Sequence, residues 1–115
     1  MNELNSILVE GTVIDEPVFE MCGDMHKVTF NIENERFFIN GVIKDYLVSL
    51  GEEANENGFV LEKTCFSVHA VSRLAEVMNE RKLSKGDKVR VVGAMYTINN
   101  ALVLFAEHIE IRLVI

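Results

Sequence analysis

Apolar and polar residues alternate along most of this chain with a period of two, the spacing of half-buried strands rather than helices. In KVTFNIENE, Val28, Phe30 and Ile32 point one way while Lys27, Thr29, Asn31 and Glu33 point the other, giving a strand with one buried face. Upstream, ILVEGTV over residues 7–13 is β-branched and apolar, and Gly11 inside it marks a bulge or sharp bend. Pro17 in DEP ends that strand because it cannot donate to a ladder, and VFEMCGDMHKV then turns at Gly23 and Asp24 into a hairpin. Further on, TCFSVHAV sets Phe66, Val68 and Ala70 against Cys65, Ser67, His69 and Val71. LSKGDKVRVVG opens on a turn at Lys85, Gly86 and Asp87; Val89 and Val91 then alternate with Lys88 and Arg90, a strand with a basic outer face. After a turn at Asn99 and Asn100 comes a last strand, ALVLFAEHIEI, in which His108 alternates with Ala106 and Glu110.

Two segments depart from this period. From Ser72 to Leu83, Leu74, Ala75, Met78 and Leu83 fall on one helical stripe, with basic residues at its C-terminal end, where the helix dipole favours cations. Residues 39–63 carry Gly41, Gly51 and Gly58 and an acidic centre between apolar arms, which reads as a long hairpin-like excursion. The order is three strands, one helix and two strands. With a glycine kink in the first strand, that order predicts an all-β, five-stranded OB-fold barrel, with the helix between strands three and four and the excursion between strands two and three.

At 115 residues the chain predicts a single domain. Its longest apolar runs fall short of a membrane span and its first residues lack a basic region ahead of an apolar one, so a cytoplasmic protein without membrane contact is expected. Cys22 and Cys65 are too few for a disulfide framework. The net charge of −7 argues against a protein that coats phosphate, yet five of the basic residues, Arg81, Lys82, Lys85, Lys88 and Arg90, fall between positions 81 and 90. Cys22 with His26 and Cys65 with His69 are each four apart and could in principle supply tetrahedral zinc ligands, but zinc motifs usually space paired cysteines within one knuckle; these read as ordinary strand residues. No nucleophile beside a base, no carboxylate pair on rigid elements and no phosphate-cradling glycine loop is found, so neither a catalytic role nor a metal or other cofactor is expected.

In this order, NSILVEGTV with its glycine, Pro17 after an acidic pair, VTFNIENER, SRLAE at 72–76 and LSKGDKVRVVG resemble the bacterial single-stranded DNA-binding proteins over nearly the whole chain. The resemblance implies a module that holds single-stranded DNA largely independently of sequence, protecting or organising it in replication, recombination or repair. Lys27, Arg36, Lys85, Lys88 and Arg90 would meet phosphate, Phe37, Phe38 and Tyr96 would stack bases, and Tyr46 and Phe59 would fold over the strand from the excursion. The chain diverges from that family in having no tryptophan; the third-strand stacking positions fall at Cys65 and Val71, and the hairpin aromatic falls near Asn100. EHIEIRLVI lacks the flexible acidic tail through which such proteins recruit partners, which puts tail-dependent recruitment of replication proteins in doubt.

The first and last strands are apolar on both faces, Ile7 and Val9 alternating with Leu8, and Val103 and Phe105 with Leu102 and Leu104. One face suffices for a barrel, so Ile7, Leu8 and Val9 are expected at a subunit interface, and the resemblance points to a homotetramer, otherwise a homodimer. The alternative role is an OB-fold interaction protein, primosome-like or regulatory, with weak or no DNA binding; the missing tryptophans and the negative charge favour it.

Overall fold

A computed structural model describes residues 3–112. Its elements are β1 (Ile7–Val13), β2 (Val18–Cys22), β3 (Met25–Phe38), α1 (Val42–Ser49), β4 (Val60–Val71), α2 (Ser72–Glu80), β5 (Lys88–Ile98) and β6 (Ala101–Arg112). Five strands lie side by side in the order β1-β5-β6-β4-β3, and β1 meets β3 again at Thr12–Glu33 and Val13–Ile32, which closes the barrel. The β4–β6 pair is parallel and the β1–β5 and β5–β6 pairs are antiparallel. The sixth strand, β2, is the outgoing half of the expected hairpin and pairs with β3 from Val18–Thr29 to Cys22–Met25.

The alternation seen in the sequence sets the core. Val28, Phe30 and Ile32 of β3, Val68 and Ala70 of β4, and Val89 and Val91 of β5 all point inward, joined by Ala75 and Met78 of α2. Helix α2 stops at Glu80, short of the expected Leu83, in a left-handed cap. Lys82 has φ +56°, its N–H donates to Asn79 O, and the Leu83 N–H donates back to Met78 O, which returns Leu83 to the core.

Two glycines are dictated by close approach. A Cβ on Gly11, where β1 crosses from β5 to β3, would lie 2.8 Å from the Glu33 carbonyl oxygen. A Cβ on Gly93 would lie 2.1 Å from the Phe105 carbonyl oxygen. Gly93 flanks a bulge: Val92 pairs with His108 but Gly93 pairs with Ala106, leaving Glu107 as the extra residue. The bulge corrects the expected phase of the last strand. Ala106 is in the core, on the opposite face from His108, because the side-chain alternation shifts by one at Glu107. The β5–β6 hairpin closes through Asn99 and Asn100, both at positive φ, as a two-residue turn of matching twist requires.

The described residues gather into two compact units, the barrel (up to residue 34 and from 65 onward) and an arm, residues 35–64. Within the arm, Glu35 and Lys63 on its two stems lie 3.6 Å apart. The excursion expected to be hairpin-like contains a helix, α1, because Val42, Ile43, Tyr46 and Leu47 recur at helical spacing between Gly41 and Gly51, a signal that the glycines and the acidic centre obscured.

Candidate nucleic-acid interface

On the outer surface of the barrel the strand order brings four residues from distant parts of the chain into one row. Lys27 of β3, His69 of β4, Phe105 of β6 and Tyr96 of β5 each sit opposite a core-facing neighbour, so all four point outward. His69 pairs with Phe105 in the parallel ladder. The Phe105 ring meets Tyr96 edge-to-face, with centroids 6.0 Å apart. Tyr96 is 52% exposed, so much of its ring is open to solvent while Phe105 supports the rest. Partial burial of His69, with the Lys27 charge beside it, lowers the imidazole pKa from 6.5, so His69 is mostly neutral near pH 7 and presents a flat ring.

Beside this row lies a shallow trough of about 340 Å³ bounded by Asp15, Val18, Thr29, Asn31, Ser67 and His69. Its rim is fixed by Asp15, whose carboxylate accepts from the Asn31 backbone N–H at 3.4 Å and side-chain amide at 3.0 Å. Hydroxyl, amide and imidazole groups on this floor can hydrogen-bond a base edge or sugar, and the adjoining row offers ring faces and one ammonium.

No family model matches the sequence, and no characterised protein matches it at the level of sequence. Comparison of structures does find similarity. The small single-stranded DNA-binding protein of Streptomyces coelicolor aligns at TM-score 0.70 and 23% identity, over 98% of this chain and 97% of that one. The second single-stranded DNA-binding protein of Mycobacterium smegmatis aligns at TM-score 0.64 and 21% identity, over 93% and 87%. The dimeric N-terminal domain of the PriB protein of Thermoanaerobacter tencongensis aligns at TM-score 0.60 and 19% identity, over 94% and 96%. The barrel is an OB fold. In such folds the face of the second and third barrel strands, flanked by the loops after the first and fourth, is the usual binding surface for oligonucleotides. Here that face is β3 and β4, which supply Lys27, His69 and most of the trough, and the row continues beyond it onto Phe105 of β6 and Tyr96 of β5.

The residues expected to bind nucleic acid fall into three places on this OB fold and its arm. Lys27 and Tyr96 lie in the row just described. Lys88 and Arg90 are at the other end of β5, eight and six residues from Tyr96, or roughly 26 and 20 Å at ~3.3 Å per residue. Lys88 Nζ donates to Thr12 Oγ1 at 2.7 Å, and the Arg90 guanidinium lies 3.2 Å from Glu10 and 3.9 Å from Glu110, with Arg112 also on Glu10. Arg90 is therefore locally neutralised, whereas Lys85 is exposed on its turn with no ion pair among the described residues. Arg36, Phe37 and Phe38 belong to the arm. The Arg36 guanidinium lies 5.0 Å above the Phe38 ring and occupies that face, leaving Phe37, 55% exposed, as the open ring of the two. Of the two excursion aromatics, Tyr46 is exposed on α1 and Phe59 is half-buried.

His69 and Phe105 were not expected in the site. The alternation in TCFSVHAV does turn His69 away from the core; the Glu107 bulge, which fixes how β6 faces its neighbours, leaves no mark in the sequence beyond Gly93. Cys22, His26, Cys65 and His69 are not gathered as metal ligands: among the described residues no group of three or more such side chains converges, and His26 Nε2 lies 3.0 Å from Glu76. No helix among the described residues is long and apolar enough to cross a membrane.

At the proposed subunit contact, β1 pairs with β5 along Ile7–Thr12 but meets β3 only at Thr12 and Val13. Among the described residues its second edge is also met at Glu10, whose carbonyl accepts from Asn34 Nδ2 at 2.7 Å. Leu8 stands outward on this strand, 63% exposed, between half-buried Ile7 and buried Val9.

Proposed function

We propose that this protein binds single-stranded DNA with little sequence preference, laying it across the outer face of β3, β4, β6 and β5. The observation that carries this reading is the row from Lys27 through His69 and Phe105 to Tyr96 beside a polar trough, which offers ring faces to bases and a cation to phosphate. Lys85 and Lys88 extend the phosphate contacts at the far end of β5; the arm, taken by itself, offers a cation at Arg36 and an open ring at Phe37. Arg90 contributes less than its sequence position suggests, because Glu10 and Glu110 already compensate its charge. Protection or organisation of single-stranded DNA in replication, recombination or repair, in the cytoplasm and alongside replication proteins, is the role this binding mode fits.

Assembly belongs to the same proposal. Strand β1 offers an edge with free backbone groups around Leu8, which suits antiparallel pairing with β1 of a second copy, first as a homodimer and then as a homotetramer. Several weak rows on one assembly would bind one DNA strand together, and linkage would raise the overall affinity without new contacts.

The test is a titration of labelled oligothymidine at two salt concentrations. Saturable binding at low salt that weakens as salt rises, with similar affinity for oligoadenosine and oligocytidine, supports the proposal. No binding at low salt overturns it and favours the interaction-protein role, for which the local neutralisation of Arg90 and the net charge of −7 speak.

A further inference from the structure

Several large apolar side chains of the arm, residues 35–64, are exposed on α1 and just after it, and the nucleic-acid proposal leaves them without a role. Helix α1 has no buried residue. Val42, Ile43, Tyr46 and Leu50 are 84%, 53%, 61% and 64% exposed, and at ~100° per residue they occupy one sector of roughly 100° around the helix axis. An eight-residue helix is marginal in water, and one that buries nothing of its own lacks the tertiary packing that ordinarily stabilises helices. Such a face is completed by something that covers it.

Charge identifies what that is. The arm carries Glu35, Asp45, Glu52, Glu53, Glu56 and Glu62 against only Arg36, Lys44 and Lys63, a net charge of −3. Lys63 faces Glu35, and Arg36 lies over Phe38. Asp45, Glu52, Glu53 and Glu56 make no ion pair among the described residues and are all exposed, Asp45 on α1 itself and the other three in the segment that follows it. Lys44 and Asp45 balance on α1 itself, so the net −3 of the arm leaves the segment after the helix acidic; an apolar helical face followed by such carboxylates disfavours a polyanion and a second copy of the same arm, but it complements a segment that is both apolar and basic. We infer that α1 and the acidic segment after it form a docking surface for a basic, amphipathic helical segment of another protein, which lays its apolar stripe on Val42, Ile43, Tyr46 and Leu50 and its lysines and arginines against the carboxylates. This surface does not depend on the nucleic-acid proposal, since every residue it uses lies within the arm.

The experiment titrates the whole protein with a labelled helical peptide of about 18 residues, leucines on one face and lysines on the other, and with a shuffled peptide of the same composition. The helical peptide is expected to bind at least about tenfold more tightly than the shuffled one near physiological ionic strength. Ile43→Asp, or Val42→Asp as a second variant at a more exposed site, should abolish that difference, and Glu52→Lys with Glu53→Lys should weaken binding and flatten its salt dependence. The thermal midpoint of the barrel should stay unchanged in each, because none of these residues belongs to its core. Equal affinity for the two peptides, or helical-peptide binding that survives both Ile43→Asp and Val42→Asp, overturns the inference. So does a mass by light scattering that falls in Ile43→Asp without peptide, which would make a second copy the occupant. Loss of oligothymidine affinity in Ile43→Asp would make nucleic acid the occupant and likewise overturn it; loss of oligothymidine binding by the wild type alone leaves this surface standing and removes only the DNA proposal.

Discussion

Replacing Gly93 by Ala tests the feature that aims the β5–β6 hairpin. The added Cβ would sit 2.1 Å from the Phe105 carbonyl oxygen, 2.9 Å from its carbonyl carbon and 3.0 Å from the Ala106 Cα. Carbon–oxygen contacts settle at ~3.3 Å or more, so the two strands must part by about 1 Å at this point. That separation stretches the ladder hydrogen bonds on either side beyond useful range. Two such bonds at ~1 kcal/mol each, with buried backbone groups left unpaired, cost about 3–4 kcal/mol, against roughly 0.5–1 kcal/mol regained because alanine restricts the unfolded chain. A net loss of about 2–3 kcal/mol corresponds to a thermal midpoint lower by roughly 10 °C for a domain of this size, read by circular dichroism. Gly86→Ala is the control: Gly86 has φ +94° and open space around its Cβ position, so only backbone strain of ~1–2 kcal/mol is expected. A Gly93→Ala protein that melts within about 2 °C of the wild type would refute the steric argument. The same variant should weaken oligothymidine binding beyond its stability cost, because Tyr96 and Phe105 both lie beyond the bulge.

Four further outcomes follow from the same geometry. Tyr96→Ala should cost ~1–3 kcal/mol of oligonucleotide affinity while the fold loses only an edge contact of about 1 kcal/mol; equal losses in binding and stability would place the ring in a structural role. Lys85→Ala with Lys88→Ala should weaken binding alike for all sequences and lower the log–log salt slope by about 0.7 for each phosphate that is no longer neutralised, and an unchanged slope would put that corner outside the DNA path. Because the fold holds the His69 pKa below 6.5, the unfolded chain binds more protons, so His69 lowers stability as pH falls below about 6.5; phosphate favours the protonated ring, so DNA affinity should rise over the same range, and His69→Gln should remove both trends. Light scattering at micromolar concentration should give two or four times 13.0 kDa, four being expected, with Leu8→Glu producing a monomer; a monomeric wild type would remove the β1 contact.

The strands of the barrel were legible because each buries one face, so a period of two in Val28, Phe30 and Ile32 or in Val89 and Val91 carries the fold directly. Gly11 announced a bend for the same kind of reason, since nothing larger fits beside the Glu33 carbonyl. What the pattern left hidden is what depends on pairing between distant strands. The extra residue at Glu107 is set by how β6 registers with β5, and local alternation assigned Ala106 and His108 to one face when they occupy two. The row from Lys27 to Tyr96 draws one residue from each of four strands separated by up to 78 positions, and no window along the chain contains it. The basic cluster at 81–90 was plain in sequence, but the cross-strand carboxylates Glu10 and Glu110 that compensate Arg90 come from opposite ends of the chain.

The distribution of charge decides what kind of DNA binding this fold can support. The arm accounts for −3 of the total −7, and on the β1–β5–β6 outer face Glu10, Arg90, Glu110 and Arg112 pair with one another, leaving Lys88 outside that network. Screening limits the reach of exposed charges to ~8 Å at physiological salt, so a phosphate at the Lys27–Tyr96 row responds mainly to Lys27 and, below pH 6.5, to His69. Phosphate contacts by three lysines, Lys27, Lys85 and Lys88, would give a slope of only about 2 per protomer, shallow beside proteins that neutralise many phosphates. Affinity at the row must then come largely from the ring of Tyr96 and from the polar trough, terms that salt leaves nearly untouched. Binding to oligothymidine should accordingly persist at salt concentrations that release a phosphate-coating protein. If β1 pairs two or four copies as proposed, linking their rows would raise affinity through effective concentration, which a chain of net charge −7 needs more than a basic one does.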